Sequence, residues 1–380
     1  MINEKNQMVT LNDIAKHLDI SVVSVHRALQ GKEGVSDRLR EKIRQTADEM
    51  GYIPNYAAAS MKRKKQTIAV ILPTDQDGRK LYFDYIWDGI REYSREVRAL
   101  QIDLESWPVK DEEELVLCLK RTADRGGETY AGVITVSYTR RPQMINQLKR
   151  LAEEGIATVV IDDDLKELDG IFCIPPNEKT AGRIAGQLIS LMSPKQGTVL
   201  VTEGREESKI HKNKRNSFQD TVRQENPELK IKVVHGYSGS TGRGNPVYKN
   251  IVDILSDTKD VTAVCAMTAF DNLPVVQALE DTGCLESVRV VGADLNDETE
   301  QLLLEGKLTA LINQEPYGKG YKSLKILTDF ILKKAQPEER IDCALDVVLK
   351  SNVKLYTSAL KKKLESTEER NNDQQNKNFN

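Results

Sequence analysis

Two hydrophobic rhythms run along this chain. In the first fifty residues the apolar positions fall three and four apart: Leu11, Ile14, Ala15 and Leu18, then Val25, Ala28 and Leu29, then Leu39, Ile43, Ala47 and Met50. Each set lies on one face of a short helix. Ser21 is placed to cap the second helix and Ser36-Asp37 to open the third, while Gly31 and Gly51 end them. Only Asp19 and Ile20 separate the first two helices, which must therefore meet at a steep angle, as in a helix-turn-helix bundle. The second helix, within SVVSVHRALQG (21–31), turns Val23, Arg27 and Gln30 away from its core face, and its wheel sets Val22 near the core stripe. Arg27 is then either a solvated charge on a packing module or a group that reads guanine through two parallel hydrogen bonds in a major groove.

From residue 66 the rhythm changes. Short β-branched runs follow one another: TIAVILP (67–73), AGVITVS (131–137), ATVVID (157–162), GTVLVTE (197–203), IKVVHGY (231–237), VTAVCAM (261–267), VRVVGAD (288–294) and LTALINQ (308–314). Helical patterns, such as 82–97, 178–191 and 298–304, lie between most of them. Near-continuous apolar strands alternating with helices mean parallel sheets covered on both faces. There are too many runs for one compact sheet, so the expected class is α/β, with an all-α N-terminal bundle followed by two similar Rossmann-like subdomains.

In such sheets ligands bind outside the carboxyl ends of the strands. Asp75, Ser137, Asp162, Asn272, Asp294 and Gln314 stand at or just after those ends. Each alone reads as a turn residue or helix cap; together they suit a polyhydroxylated ligand such as a sugar. Tyr82, Phe83, Tyr85 and Trp87 cluster at the start of a helix whose buried face reads Tyr82, Ile86, Gly89, Ile90 and Tyr93. Tyr82 or Phe83 can stack on a sugar ring. Asp162-Asp163-Asp164 reads as a solvated turn with one useful member, because neighbours at a strand end point in opposite directions. GYSGSTGRGNP (236–246) lacks the Gly-Lys-Ser/Thr of a phosphate loop and reads as a flexible loop. The body shows no paired nucleophile and base, which argues against an enzyme, and no cofactor is expected.

Length and charge add to this. At 380 residues the chain exceeds one core and fits two or three domains. Residues 1–65 carry twelve Lys/Arg against eight Asp/Glu, a net +4; with the whole chain at −3, the remainder stands at −7. A basic end on an acidic body is the footprint of a nucleic-acid module. There is no run of 18 apolar residues, and the opening MINEKNQMVT has no apolar stretch. The expectation is a cytoplasmic protein with no membrane span or secretory signal, not an exported binding protein. Five scattered cysteines without a CxxC pair read as reduced thiols, and the four histidines are not spaced as metal ligands. Residues 358–380 are polar and expected to be disordered.

The stretch VTLNDIAKHLDISVVSVHRALQGKEGVSDRLREKIRQTADEMGYIPNYAAASM, Val9 to Met61, resembles the DNA-binding headpiece of the lactose-repressor (LacI/GalR) family of bacterial transcription regulators. The turn, the third helix and the GYIPN exit all sit at that family's spacing. The resemblance implies base-reading positions at Val22, Val23 and Arg27, and phosphate contacts from Thr10, Ser21 and Ser24. His26 stands where a serine is usual, Gln30 where an asparagine is usual, and valines can touch only apolar groups such as a thymine methyl. In PNYAAASMKRKK the resemblance implies a hinge helix that starts near Asn55. Ala59 replaces a usual arginine, and Met61 takes the place of a leucine that wedges into the minor groove.

More loosely, the body resembles the type I periplasmic-binding-protein-like effector domain of the same family. VVGADLNDE implies Asp294 as a ligand contact, ALINQEPYGKGYKSLKIL implies Gln314, and ATVVID implies Asp162. HKNKRNSFQD puts Lys214, with Arg215 beside it, where an arginine usually grips the ligand; a lysine cannot fork two bonds as an arginine does. AFDNLPVVQALEDTG is shorter than the usual form and leaves Asp271 or Asn272 for a usual aspartate. The candidate ligand set is therefore Asp75, Tyr82, Phe83, Asp162, Lys214, Arg215, Asn272, Asp294 and Gln314. The implied organisation is a headpiece at 9–53, a hinge helix at 54–65, a two-subdomain effector and dimerisation domain at 66–357 and the tail. The implied protein is a homodimeric repressor on a pseudo-palindromic double-stranded operator, answering to a small effector, a sugar. Its rival is a cytoplasmic sugar-binding protein whose headpiece is vestigial.

Overall fold

The computed structural model describes residues 9–29, 32–50, 65–75, 79–97, 100–137, 141–165, 168–240, 242–337, 341 and 343–358. Gln30, Gly31, Gly51, the hinge residues Asn55, Ala59 and Met61, and the tail from 359 lie outside the described residues. The chain divides into two compact units, Met1–Arg63 and Lys64–Asn380.

The described residues of the first unit form three helices, α1 (Leu11–Leu18), α2 (Val22–Leu29) and α3 (Asp37–Glu49), around Ile14, Ala15, Val25, Ala28, Ile43 and Ala47. The turn between α1 and α2 is short because Asp19 takes a left-handed conformation, φ 52°, which a short polar side chain tolerates. Thr10 and Asp13 form a reciprocal capping box at the start of α1. The Ser21 hydroxyl accepts from the Ser24 amide at 3.0 Å at the start of α2. The other end of α2 is held from α3. The Arg40 guanidinium donates to the carbonyls of Ala28 at 3.1 Å and Lys32 at 2.8 Å, where helix-end carbonyls otherwise lack partners.

The second unit begins with β1 (Gln66–Pro73), α4 (Phe83–Val97), β2 (Ile102–Val109), α5 (Glu112–Arg125), β3 (Tyr130–Val136), α6 (Pro142–Glu153), β4 (Ala157–Ile161) and β5 (Ile171–Ile174). It continues with α7 (Glu178–Met192), β6 (Gly197–Thr202), α8 (Lys209–Glu225), β7 (Leu229–Val234), α9 (Pro246–Asp257), β8 (Val261–Cys265), α10 (Asn272–Asp281) and β9 (Arg289–Ala293). Then come α11 (Asp297–Leu304), β10 (Ala310–Asn313), α12 (Pro316–Lys333) and β11 (Asp346–Val348). One sheet runs β2-β1-β3-β4-β5, all parallel; the other runs β11-β10-β9-β8-β6-β7, with only β11 antiparallel. Dropping β11 leaves the same winding order twice, so the body is two subdomains of one design.

All eight apolar runs form strands. The three further strands, β2, β5 and β11, lie at sheet edges, where one flank is open and the apolar signal weakens. In β2, Asp103, Ser106 and Pro108 are exposed between buried Ile102 and Val109. Helix α12 follows a strand of the second sheet but packs on α4, β3 and β4 of the first. Gly89 and Gly320 allow it: a Cβ on either would overlap a backbone carbonyl of the opposing helix. Among the described residues no helix is long and apolar enough to cross a membrane. The five cysteines are free thiols, four of them buried.

Candidate ligand cavity and nucleic-acid interface

On α2 the exposed side chains are Val22 (37%), Val23 (59%), His26 and Arg27, with Ser21 exposed just before and Ser24 half-buried. The wheel set Val22 near the core stripe; Val25 and Ala28 fill that stripe, and Val22, one turn earlier, extends past it into solvent. The Ser21 and Ser24 hydroxyls lie 2.8 Å apart. Thr10 is exposed, and its hydroxyl donates to the Asp13 carboxylate at 2.7 Å. The Arg27 guanidinium lies against the turn at Gly34, whose φ of +92° suits a glycine. The exposed face thus offers two apolar side chains, an arginine and hydroxyls, the groups needed for thymine methyls, guanine and phosphates.

In the body, a cavity of about 180 Å³ opens between the two sheets at the carboxyl ends of their strands. Six of the nine candidate ligand residues line it: Tyr82, Phe83 and Asp162 from the first subdomain, Lys214, Asp294 and Gln314 from the second. Tyr82, just before α4, is half-buried against the first core and also lines the cavity. Asp162 and Asp294 sit one residue past β4 and β9 in left-handed conformations, φ 59° and 60°. This kink turns each carboxylate out of the sheet, and each amide still donates to the neighbouring strand, to Ile174 and Ile312 respectively.

The other three candidates do not line the cavity. The Asp75 carboxylate accepts from the amides of Leu81, Tyr82, Phe83 and Asp84 at 2.7–3.2 Å, so it caps α4 and fixes the segment that presents Tyr82 and Phe83. Asn272, fully buried, clips α10 to β9: its amide donates to the Ala269 and Ala293 carbonyls, and its oxygen accepts from the Ala293 amide. Asp271 is also fully buried, and its carboxylate accepts from the Thr202 hydroxyl at 2.7 Å. Arg215 donates to Glu203, through both the carbonyl and the carboxylate. In the Asp162-Asp163-Asp164 run, Asp163 is buried, with its carboxylate accepting the Asp164 amide, so that turn is not simply solvated.

Charge is distributed unevenly between the two sides. Lys319, only 2% exposed, donates to Asp162 at 2.5 Å and to the Tyr82 hydroxyl at 2.8 Å; Tyr82 donates to Asp162 at 2.7 Å. Burial pulls the Lys319 ammonium down, but Asp162 outweighs it and the pKa rises. Tyr82 is pushed well above the ordinary phenol range by burial and then by Asp162. Opposite, Lys214 donates to the Met267 carbonyl at 2.8 Å and forms no ion pair with Asp294. Among the described residues the Asp294 carboxylate accepts one side-chain hydrogen bond, from the Gln314 amide at 3.2 Å. Burial raises the Asp294 carboxyl and lowers the Lys214 ammonium, each opposing the shift of the other.

Sequence reasoning missed Lys319, and it missed Lys110, Arg205, His211 and Tyr237, which also line the cavity. Tyr237 lies in the loop read as flexible, yet it ends the IKVVHGY run and the strand-end rule applied to it as well. Ser137, another strand-end residue, lines the cavity with a buried hydroxyl that has no hydrogen-bond partner among the described residues.

Residues 10–55 match the family described as bacterial regulatory proteins, lacI family, and residues 68–335 match the periplasmic binding protein domain. The chain is 22% identical to catabolite control protein A of Priestia megaterium over 331 residues, covering 86% of this chain and 93% of that protein. It is 33% identical to the HTH-type transcriptional regulator MalR of Streptococcus pneumoniae over 161 residues, 41% of this chain and 46% of that one. It is 34% identical to the HTH-type transcriptional regulator YvdE of Bacillus subtilis over 97 residues, 25% of this chain and 31% of that one. The matched segments thus span less than half of the latter two relatives. Among solved structures, a putative LacI transcriptional regulator from Bacteroides fragilis superposes with a TM-score of 0.66 at 19% identity, over 77% of this chain and 100% of that one. A glucose-galactose binding protein from Geobacillus stearothermophilus gives 0.66 at 20% identity, over 76% and 99%. At these identities the likeness shows the fold.

Proposed function

Because the chain belongs to the lacI family of bacterial regulatory proteins and carries a periplasmic-binding-protein-type effector domain, we propose that it is a cytoplasmic repressor whose operator affinity changes when a sugar fills the cavity between its two subdomains. The relatives are transcriptional regulators, not enzymes. The observation that carries the reading is a cavity walled by both subdomains, in a chain whose α2 presents Val22, Val23 and Arg27 to solvent. A ligand touching Tyr82 and Asp162 on one side and Asp294 and Gln314 on the other joins the two halves. It therefore favours a closed arrangement over an open one, and that difference in affinity is what shifts an equilibrium.

In this reading two copies form a homodimer, and each headpiece fills one half-site of a pseudo-palindromic operator. Val22 and Val23 meet thymine methyls, Arg27 a guanine, and Thr10, Ser21 and Ser24 the flanking phosphates, with His26 on the same DNA-facing surface. Asn55, Ala59 and Met61 belong to a hinge at 54–65 that transmits closure, with Met61 as a minor-groove wedge. Binding of the full chain to DNA from upstream of its own gene tests this. Arg27→Ala is expected to cost ~1–3 kcal/mol on the operator and to relax preference at one base pair. Equal weakening on every sequence would leave Arg27 a phosphate contact, and no complex with the parent chain would favour a sugar-binding protein with a vestigial headpiece.

A further inference from the structure

We propose that Arg79, Leu81 and Tyr85 of the first subdomain and Asn296, Asp297 and Glu298 of the second form a latch that holds the cleft closed before a ligand arrives. Its regulatory meaning rests on the reading of the cavity as the effector site. The chain itself passes between the subdomains after β5, after β10 and after α12. Those covalent crossings hold in any hinge position. The latch contacts belong to none of them, and they must break when the halves rotate apart. The Arg79 guanidinium pairs with the Glu298 carboxylate. The Asn296 amide donates to the Leu81 carbonyl at 3.5 Å. The Tyr85 hydroxyl is hydrogen-bonded to the Asp297 backbone. None of the six residues lines the cavity, so their part is in positioning.

Each strip is built locally to face the other. Asp75 accepts the amides of Leu81, Tyr82, Phe83 and Asp84, which fixes that segment and leaves the Leu81 carbonyl to a donor from outside. Opposite, Asn296 opens α11, and its oxygen accepts the Thr299 amide at 2.9 Å. The cap uses the oxygen, so the amide end of the same side chain is left to cross the cleft. Glu298 lies in the first turn of α11, where the helix dipole favours an anion. Leu81, Tyr85 and Asn296 are buried, and the side chains of Arg79 and Glu298 are 25% and 23% exposed, so solvent screens their attraction only in part. The strips also adjoin the ligand residues. Tyr82 and Phe83 follow Leu81 directly, and the Thr299 hydroxyl that closes the Asn296 capping box donates to the Asp294 carbonyl at 3.0 Å. Closing the latch thus brings Tyr82 and Phe83 toward Asp294. A ligand that needs the closed form binds with an apparent Kd equal to its intrinsic value divided by the closed fraction. One ion pair and two hydrogen bonds raise that fraction without locking the cleft, which leaves an open population for the ligand to shift.

Pulsed electron-spin distances across the cleft test the latch on the full chain without any ligand. One label is carried by Lys120→Cys, exposed on α5, and the other by the native Cys284, half-buried in the second subdomain; the other four cysteines are buried. Labelled chain is diluted into unlabelled chain, so that only distances within one chain are read. The charge reversals Arg79→Glu and Glu298→Arg should each lengthen the distance by several ångströms, and the two together, which restore an opposite pair, should bring it back. Asn296→Asp keeps the capping oxygen but removes the crossing donor. It should lengthen the distance as well, and it decides the matter if a reversal disturbs its own segment. In the lengthened variants the ligand-free affinity for the DNA upstream of the gene should shift about threefold or more, and return in the double reversal. A parent distance retained in both reversals and in Asn296→Asp would overturn the latch and leave the effector-site reading standing. Lengthening that the double reversal fails to undo would overturn the pairing of Arg79 with Glu298 as its source. Lengthened distances with an unmoved DNA affinity would uphold the latch and overturn the reading that closure regulates the operator.

Discussion

Asp162 and Asp294 are the same residue placed twice. Each follows the fourth-wound strand of its sheet, each turns left-handed at φ 59° or 60°, each donates its amide to the next strand, and each lines the cavity. Their side chains have different fates. Asp162 is tied to Lys319 and Tyr82 at 2.5 and 2.7 Å, while Asp294 has the Gln314 amide at 3.2 Å and no ion pair. The difference comes from α12, which leaves the second sheet and packs on the first, and so delivers its lysine to the first subdomain's aspartate alone. A repeated backbone therefore does not repeat its chemistry. One carboxylate braces a subdomain as well as lining the cavity; the other is the freer of the two to meet the proposed ligand.

The largest effect that separates the twins is on stability. Asp162→Asn leaves the Lys319 ammonium, 2% exposed, without its counter-charge, and should cost ~3–5 kcal/mol in urea denaturation at pH 7. Asp294 behaves oppositely. Its carboxyl is raised by burial, so the penalty for its charge is absent in acid and grows as pH rises through the ordinary carboxylate range. Asp294→Asn should therefore lose less than ~1 kcal/mol at pH 7, or gain stability. Equal losses in the two variants would remove the contrast.

Ligand binding should rank them the other way. Asp294→Ala should weaken the ligand by ~2–3 kcal/mol, on the order of a hundredfold, because a charge-assisted contact is lost. Gln314→Ala removes a neutral amide and should cost ~1 kcal/mol. Calorimetry on both variants checks the order. The smallest effect concerns His211, which lines the cavity. The folded pKa of His211, about 3, lies below its unfolded value, so the unfolded chain takes the proton first and stability falls as pH drops. Between pH 7 and pH 6 this loss should be roughly 0.7 kcal/mol through His211. It should be absent in His211→Gln, read as the difference between the two urea curves.

How much of this was legible in the sequence follows from how local each signal is. The three headpiece helices showed in their spacing, and eight strands, the edge strand β7 among them, in their apolar runs. The edge strands β2, β5 and β11 did not; in β2 an open flank admits Asp103 and Pro108. Asp162 and Asp294 stood out as polar residues at strand ends, but Asp75 and Asn272 carry the same signature. Only the positions of the Leu81 and Ala293 amides reveal that their side chains are caps and clips. Lys319 was not picked out: ALINQEPYGKGYKSLKIL resembles a segment that crosses between subdomains, but Lys319 lies 157 residues from Asp162 and nothing local says which carboxylate it meets.

The most direct measurement of the account is the affinity of the full chain for its operator, by fluorescence anisotropy, with and without the ligand, in the parent and in Asp294→Ala. The account predicts at least a tenfold shift in Kd for the parent and none for the variant at the same ligand concentration. A variant that shifts as the parent does would show that Asp294 is not where the ligand acts, and that the difference between the twin aspartates has no bearing on regulation.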